Sequence, residues 1–154
     1  MLHFDQRAIQ ATLPHRPPFL FIDRVIDVHP GRQGTGLKLL SAGELLLSSS
    51  AMLMPNIFHL EIMAQTTAMI CAAMPEESGQ AAAMPSGAGL GYLAGGDLHF
   101  TAPHAARAGE TLEARVRIMK MWSQYILAQG SVHVGTRQLS QGRLTIALAD
   151  PDRD

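Results

Sequence analysis

Between Pro55 and Met74 runs PNIFHLEIMAQTTAMICAAM, a stretch that is apolar on every side of a helical wheel. A helix of this kind must be buried, because no face of it prefers water. Pro55 suits the first helical position, where a missing N–H costs nothing, and Pro75 ends the run. At 1.5 Å per residue such a helix is about 30 Å long, enough to cross a small domain. It carries one carboxylate, Glu61, and one amide, Gln65, four residues apart and therefore on one face. A buried carboxylate is costly unless it is paired, hydrogen-bonded or used in chemistry. Glu61 and Gln65 are thus either a hydrogen-bonded pair that fixes the helix register or part of a working site. His59 lies two residues before Glu61, roughly 200° round the helix, and so faces the core or sheet instead.

The 154 residues are read as one domain, 1–154. Hydrophobic residues make up 47% and charged residues 16%, the latter low against an average of about 25%. A formal net charge of −1 gives no basic field for nucleic acid or an anionic membrane. So oily a chain suggests apolar surface buried between subunits. Cys71, the single cysteine, sits inside the apolar helix, where it acts as a small hydrophobe. No disulfide framework, metal-ligand spacing, phosphate loop or G-x-S-x-G elbow occurs, so no metal or cofactor is expected. The start, MLHFDQRAIQ, lacks the basic and apolar regions of a signal peptide, and Glu61, Gln65, His59 and the threonines make 55–74 a poor membrane span. A cytoplasmic location is expected.

Around the helix the pattern is that of strands. Residues 4–12 predict a short amphipathic helix with Asp5 placed to cap it. The prolines of LPHRPP (13–18) force an extended turn. FLFIDRVIDV (19–28) and RQGTGLKLLS (32–41) predict a strand pair across His29-Pro30-Gly31. Residues 42–54 read as a serine-containing loop and 76–89 as a small-residue loop. Strands follow at 90–101, with Gly95-Gly96 a bulge or close approach, and then at 111–122, 123–135 and 137–149 as a meander. The implied class is α+β: an antiparallel sheet whose apolar face is covered by one long helix.

Three segments resemble those of the 3-hydroxyacyl-acyl-carrier-protein dehydratases of fatty acid synthesis. LPHRPPFLFIDRVIDV (13–28) is similar to that family's opening LPHR-x-P-F-L-x-x-D-R-V. LEIMAQ (60–65) is similar to its L-E-A-x-A-Q, and YLAGGDLHFTAP (92–103) to its L-A-G-I-D-x-x-x-F-x-x-P, with Gly109-Glu110 for the following Gly-Asp. The resemblance implies the hotdog fold, a sheet wrapped round a central helix, in a homodimer or higher homo-oligomer. It also implies an acyl thioester ligand on acyl carrier protein or coenzyme A, bound at the subunit interface. The family's catalytic histidine, in G-H-F-P-x-x-P-x-x-P-G-V before the helix, has no counterpart: no histidine lies between His29 and His59.

Dehydration of a 3-hydroxyacyl thioester needs a base for the C2 proton, an acid for the departing hydroxyl and donors for the thioester oxygen. Glu61 and Gln65 are the expected catalytic pair, with burial raising the Glu61 pKa. N–H groups at the helix start, around Asn56 and Ile57, are the expected thioester contacts, with Pro55 beside them in the substrate-binding turn. His15 and His59 are auxiliary candidates, His15 with a turn-stabilising role. Met52, Met54, Met63, Met69, Met74 and Met84 line either an acyl tunnel or the core, and Arg16, Arg107 and Lys120 meet either a carrier protein or solvent. Three readings are open: an active dehydratase, a non-catalytic acyl-thioester or carrier-protein partner, and a hotdog thioesterase.

Overall fold

The computed structural model describes residues 1–43, 52–75, 91–101 and 105–148. Residues 44–51 of the loop predicted over 42–54, and the whole loop predicted over 76–89 with Met84, lie outside the described residues.

The chain folds into a seven-stranded antiparallel sheet laid around one long helix. Strands β1 (Leu2–Phe4), β2 (Arg24–His29) and β3 (Gln33–Leu39) flank the short helix α1 (Gln6–Thr12). The long helix α2 is Phe58–Ala72. Four strands follow: β4 (Gly91–Phe100), β5 (Thr111–Met121), β6 (Tyr125–Val134) and β7 (Arg137–Leu148). The order across the sheet is β1-β2-β3-β5-β6-β7-β4, and α2 contacts every strand from β2 to β7. This is the hotdog architecture. The expected meander holds for β5 to β7, but β4 pairs with β7 at the far edge and not with β5. The helix thereby sits between the two halves of the sheet and is enclosed from both sides.

Alternation sets which face is buried. In β5, Leu112, Ala114 and Val116 point inward, whereas Glu113, Arg115 and Arg117 point outward. In α2, every residue from Ile62 to Thr67 and from Met69 to Cys71 is buried. Its buried threonines bond back into their own helix, Thr66 Oγ1 to Ile62 O at 2.7 Å and Thr67 Oγ1 to Met63 O at 2.8 Å. No polar group of theirs is therefore left for the core to satisfy.

Two glycines let helix and sheet close on each other. A Cβ at Gly36 of β3 would collide with Thr66 Oγ1, and one at Gly96 of β4 would lie 3.0 Å from Leu60 Cδ1. The pairing of β4 with β7 shifts register between Leu93 and Gly95, so the expected irregularity at Gly95-Gly96 is present as both bulge and close approach.

Element ends differ from the sequence pattern where side chains or turns replace regular bonding. Asp5 caps α1 as expected, its carboxylate accepting the Ala8 N–H at 2.9 Å. Helix α2 begins at Phe58, not Pro55, because a tight turn precedes it: the Phe58 and His59 N–H groups donate to Pro55 and Asn56 carbonyls at 3.1 and 3.0 Å. The strand predicted over 19–28 starts only at Arg24. Its first residues are bonded to a helix side chain, as described below.

Replacing Gly36 with alanine should lower unfolding free energy by about 1–3 kcal/mol, since Thr66 must yield. Urea denaturation checks this, and an unchanged midpoint would show that the helix does not need that approach.

Candidate active site

Gln65 is 1% exposed and uses both ends of its amide. Its Oε1 accepts the Phe21 N–H at 2.9 Å, and its Nε2 donates to Phe19 O at 2.7 Å. The same Nε2 donates to Glu61 Oε1 at 2.9 Å. One side chain thus fastens residues 19–21 to α2 and aims the carboxylate one turn earlier. Within Phe19–Asp23 the Phe21 N–H and the Phe19 carbonyl are thus taken by the helix, while the Phe19 and Leu20 N–H groups donate to Arg16 O, so the segment does not pair as a strand.

The fastened loop brings His15 with it. Its Nε2 lies 3.3 Å from Glu61 Oε1, and the two side chains are 32% and 31% exposed. Arg16 holds the turn in place by donating to the carbonyls of Leu13, His15 and Gln10 at 2.8, 2.7 and 3.0 Å. Arg16 is therefore engaged within its own loop. His15 Nδ1 is buried and has no partner.

The His15 contact is the main influence on Glu61 and lowers its pKa below the ordinary 4.5. Burial acts in the opposite direction, while the Gln65 amide and the charge of His15 lower it further. The expectation of a raised pKa is thus reversed. It considered burial alone, and the hydrogen bonds outweigh burial.

His59 is fully buried, with Nδ1 2.8 Å from Ser140 Oγ on β7. Burial lowers its pKa to about 4, so it is neutral at pH 7. The sheet contact read from its helical angle is the one present, and His59 stands apart from the Glu61 cavity. Burial likewise pushes the Cys71 thiol up to about 12, leaving it unreactive.

Beside Glu61 lies a cavity of about 70 Å³ lined by His15, Gln65, Ala64 and Ala68, with Leu93, Ile126, Ile146 and Gly91 opposite. None of its lining residues is a methionine; Met54, Met63 and Met69 are core residues. Pro55, Asn56 and Ile57 lie at the start of α2, one turn before Glu61, and do not line the cavity. Pro55 and Ile57 are exposed, and Asn56 Oδ1 is buried without a partner. Among the described residues no group of three or more His, Cys, Asp or Glu side chains is placed to hold a metal. The alanines and isoleucines of the cavity carried no signal in the sequence, because each looks like ordinary core.

A hotdog fold with a carboxylate and an imidazole meeting at the central helix defines a class of acyl-thioester proteins. Comparison with known proteins narrows this. Residues 7–153 match the ApeP-like family, described as ApeP dehydratase. A 3-hydroxyacyl-acyl-carrier-protein dehydratase FabZ from Roseiflexus sp. (strain RS-1) is 32% identical over 145 residues, covering 92% of this chain and 94% of that one. A FabZ from Natranaerobius thermophilus is 30% identical over 149 residues, covering 95% and 98%. The dehydratase heterocomplex ApeI:P from Xenorhabdus doucetiae shares the fold with a TM-score of 0.76 at 20% identity, over 93% of this chain and 91% of that one. The chain belongs to the ApeP-like dehydratase family, and its function is that of a dehydratase-like protein of acyl thioesters.

Two consequences are measurable. Gln65→Ala strands the buried Phe21 N–H, at about 1–3 kcal/mol, and releases the part-buried Phe19 carbonyl; urea denaturation reads the loss, and a change under about 0.5 kcal/mol would contradict the clamp. Glu61 has a depressed pKa in the folded state, so the unfolded chain takes up its proton first. Its stabilisation is present above the unfolded pKa and is lost as pH falls through the folded one. Melting temperature should therefore fall more steeply below about pH 4.5 in the wild type than in Glu61→Gln. Parallel curves would contradict it.

Proposed function

We propose that the chain is an active 3-hydroxyacyl thioester dehydratase in which Glu61 and His15 form the acid–base pair. The observation that carries this is the 3.3 Å contact of His15 Nε2 with Glu61 Oε1, both of which line the cavity. A histidine is absent from the loop where the FabZ-type motif has one, and His15 supplies an imidazole to the same carboxylate from within the chain.

The lowered pKa makes Glu61 a carboxylate at rest, suited to act as base. In the proposed step Glu61 removes the C2 proton and the released electron pair forms the C2=C3 bond. The C3–O bond breaks, and protonated His15 gives its proton to the departing hydroxyl, which leaves as water. Transfer of the new Glu61 proton to His15 across their contact restores both groups. Gln65 is a positioning residue that holds the carboxylate. The backbone N–H groups of Asn56 and Ile57, which follow Pro55 at the positive end of α2, are the proposed contacts of the thioester oxygen. No cofactor takes part.

The proposed substrate is carried on acyl carrier protein or coenzyme A in the cytoplasm, and the working unit is an oligomer. Strand β4 supports an oligomer: it is a ten-residue edge with Tyr92 61% and Phe100 54% exposed. A long apolar edge invites pairing with another chain. The Xenorhabdus dehydratase is a heterocomplex, which favours a second reading in which a sister chain pairs with this one; in that reading the sister chain would supply a histidine to Glu61. A purely binding role or thioester hydrolysis would yield no enoyl product.

Enoyl formation from 3-hydroxyacyl thioesters, followed by ultraviolet absorbance, decides between these readings. Glu61→Gln and His15→Ala should each lower kcat by about 10²–10⁴ while remaining folded by circular dichroism. In His15→Ala the Glu61 pKa loses its main depressing contact, so the residual activity should fall at higher pH on the acid side than in the wild type. Full activity in His15→Ala would favour a partner's histidine. No enoyl product alone or with a sister chain would end the dehydratase reading, and release of free thiol would favour hydrolysis.

A further inference from the structure

We infer that the outer face of the sheet carries a second binding site, a groove across β2, β3, β5 and β6 that takes a phosphate group borne on a hydroxyl-rich body, with Arg115 and Arg117 as its anion clamp. The site is independent of the Glu61 chemistry. It lies on the sheet face turned away from α2 and shares no residue with the Glu61 cavity.

The alternation that buries Leu112, Ala114 and Val116 turns Arg115 and Arg117 outward. Two residues apart on one strand, they stand about 7 Å from each other on one face. The register places Thr35 and Ser131 on either side of Arg115, and Gln33 and Gln129 on either side of Arg117. A solvated sheet face ordinarily sets opposite charges across from each other. Here all four side chains directly opposite the two arginines are neutral and able to hydrogen-bond. Arg143 follows beyond Gln129, so three cations share this part of the face.

Glu113 holds one guanidinium nitrogen of Arg115 at 2.8 Å, which fixes the group and leaves its other nitrogens to a ligand. Among the described residues no carboxylate pairs with Arg117. The positive field is felt nearby: burial, and after it the charge of Arg115, lower the His133 pKa against the opposing pull of Glu113.

These side chains line a groove of about 550 Å³, the size of a small-molecule site and not of a single ion. Guanidinium forks match phosphate and carboxylate oxygens, and two forks reaching one group favour the doubly charged phosphate. Most of the remaining lining is amide and hydroxyl, with Met119 its one exposed apolar side chain. Such a wall suits a polyhydroxylated body better than an alkyl or aryl one. Asp27 is the one carboxylate of the lining. It stands on β2, two strand spacings or about 10 Å from the arginines, where it accepts from hydroxyls of the body. Its φ of 54° lies in the left-handed region, a strain held at the irregularity of β2 that presents Asp27 at this rim. The arginines lie three strands in from the β4 edge, so a chain pairing at that edge leaves the groove open.

Calorimetric titration with glucose 6-phosphate, inorganic phosphate and glucose tests the site. Glucose 6-phosphate should bind about tenfold tighter than inorganic phosphate, and glucose alone should not bind measurably. Arg117→Gln should weaken glucose 6-phosphate about tenfold, and the double variant Arg115→Gln/Arg117→Gln should abolish its binding while circular dichroism stays that of the wild type. Asp27→Gly, which suits the positive φ, should weaken glucose 6-phosphate about fivefold and leave inorganic phosphate unchanged. Co-sedimentation with phosphatidylcholine vesicles that contain phosphatidylinositol separates two sources of such a group. Pelleting that depends on Arg117 supports the site with a lipid headgroup as ligand; glucose 6-phosphate binding without pelleting supports it with a soluble one. No binding of glucose 6-phosphate, equal affinity for it and inorganic phosphate, or binding that survives the double variant overturns the proposal.

Discussion

The amide of Gln65 is the interaction on which the site depends. It is buried in the middle of an otherwise apolar helix and makes three hydrogen bonds, to Phe21 N–H, Phe19 carbonyl and Glu61 carboxylate. Without it, residues 19–21 would have to join the sheet or leave backbone groups unpaired. The loop it holds is the one that carries His15. Sheet, helix, loop and carboxylate are therefore coupled through one side chain, and the geometry of the acid–base pair is a consequence of how the loop is tied down.

The electrostatics of Glu61 follow from the same arrangement. A carboxylate on an oily helix would ordinarily be expected to hold its proton. Here the imidazole of His15 and the amide of Gln65 favour the ionised form more than burial opposes it. His59, two residues away, shows the contrasting outcome: deep burial with a neutral serine partner keeps it uncharged. His15 thus meets the carboxylate and His59 the serine of β7, because they lie on different sides of α2.

Much of the fold was legible in the sequence because its signals are local. The all-round apolar run announced a buried helix, the alternation in 111–118 announced a half-buried strand, and Asp5 announced a cap. Strand order was less legible, since nothing in Gly91–Phe100 states that it pairs with β7 and not with β5. Glu61 and Gln65 stood out as polar residues in an apolar run. The meeting of His15 with Glu61 did not, because it depends on a loop folded across forty-six positions of chain by the Gln65 clamp. The LPHR resemblance marked His15, but only as a turn residue. The cavity walls were silent for a simpler reason: alanine and isoleucine look alike in a core and around a cavity.

The central claim is that Glu61 is a carboxylate held ionised by His15 and Gln65. Its most direct test is an NMR titration of the protein with ¹³C-labelled glutamate side chains, the Glu61 signal being assigned by its absence in Glu61→Gln. A Glu61 pKa below the ordinary 4.5 that rises in His15→Ala is the predicted result. A value above 4.5 in the wild type, unmoved by loss of His15, would contradict the account.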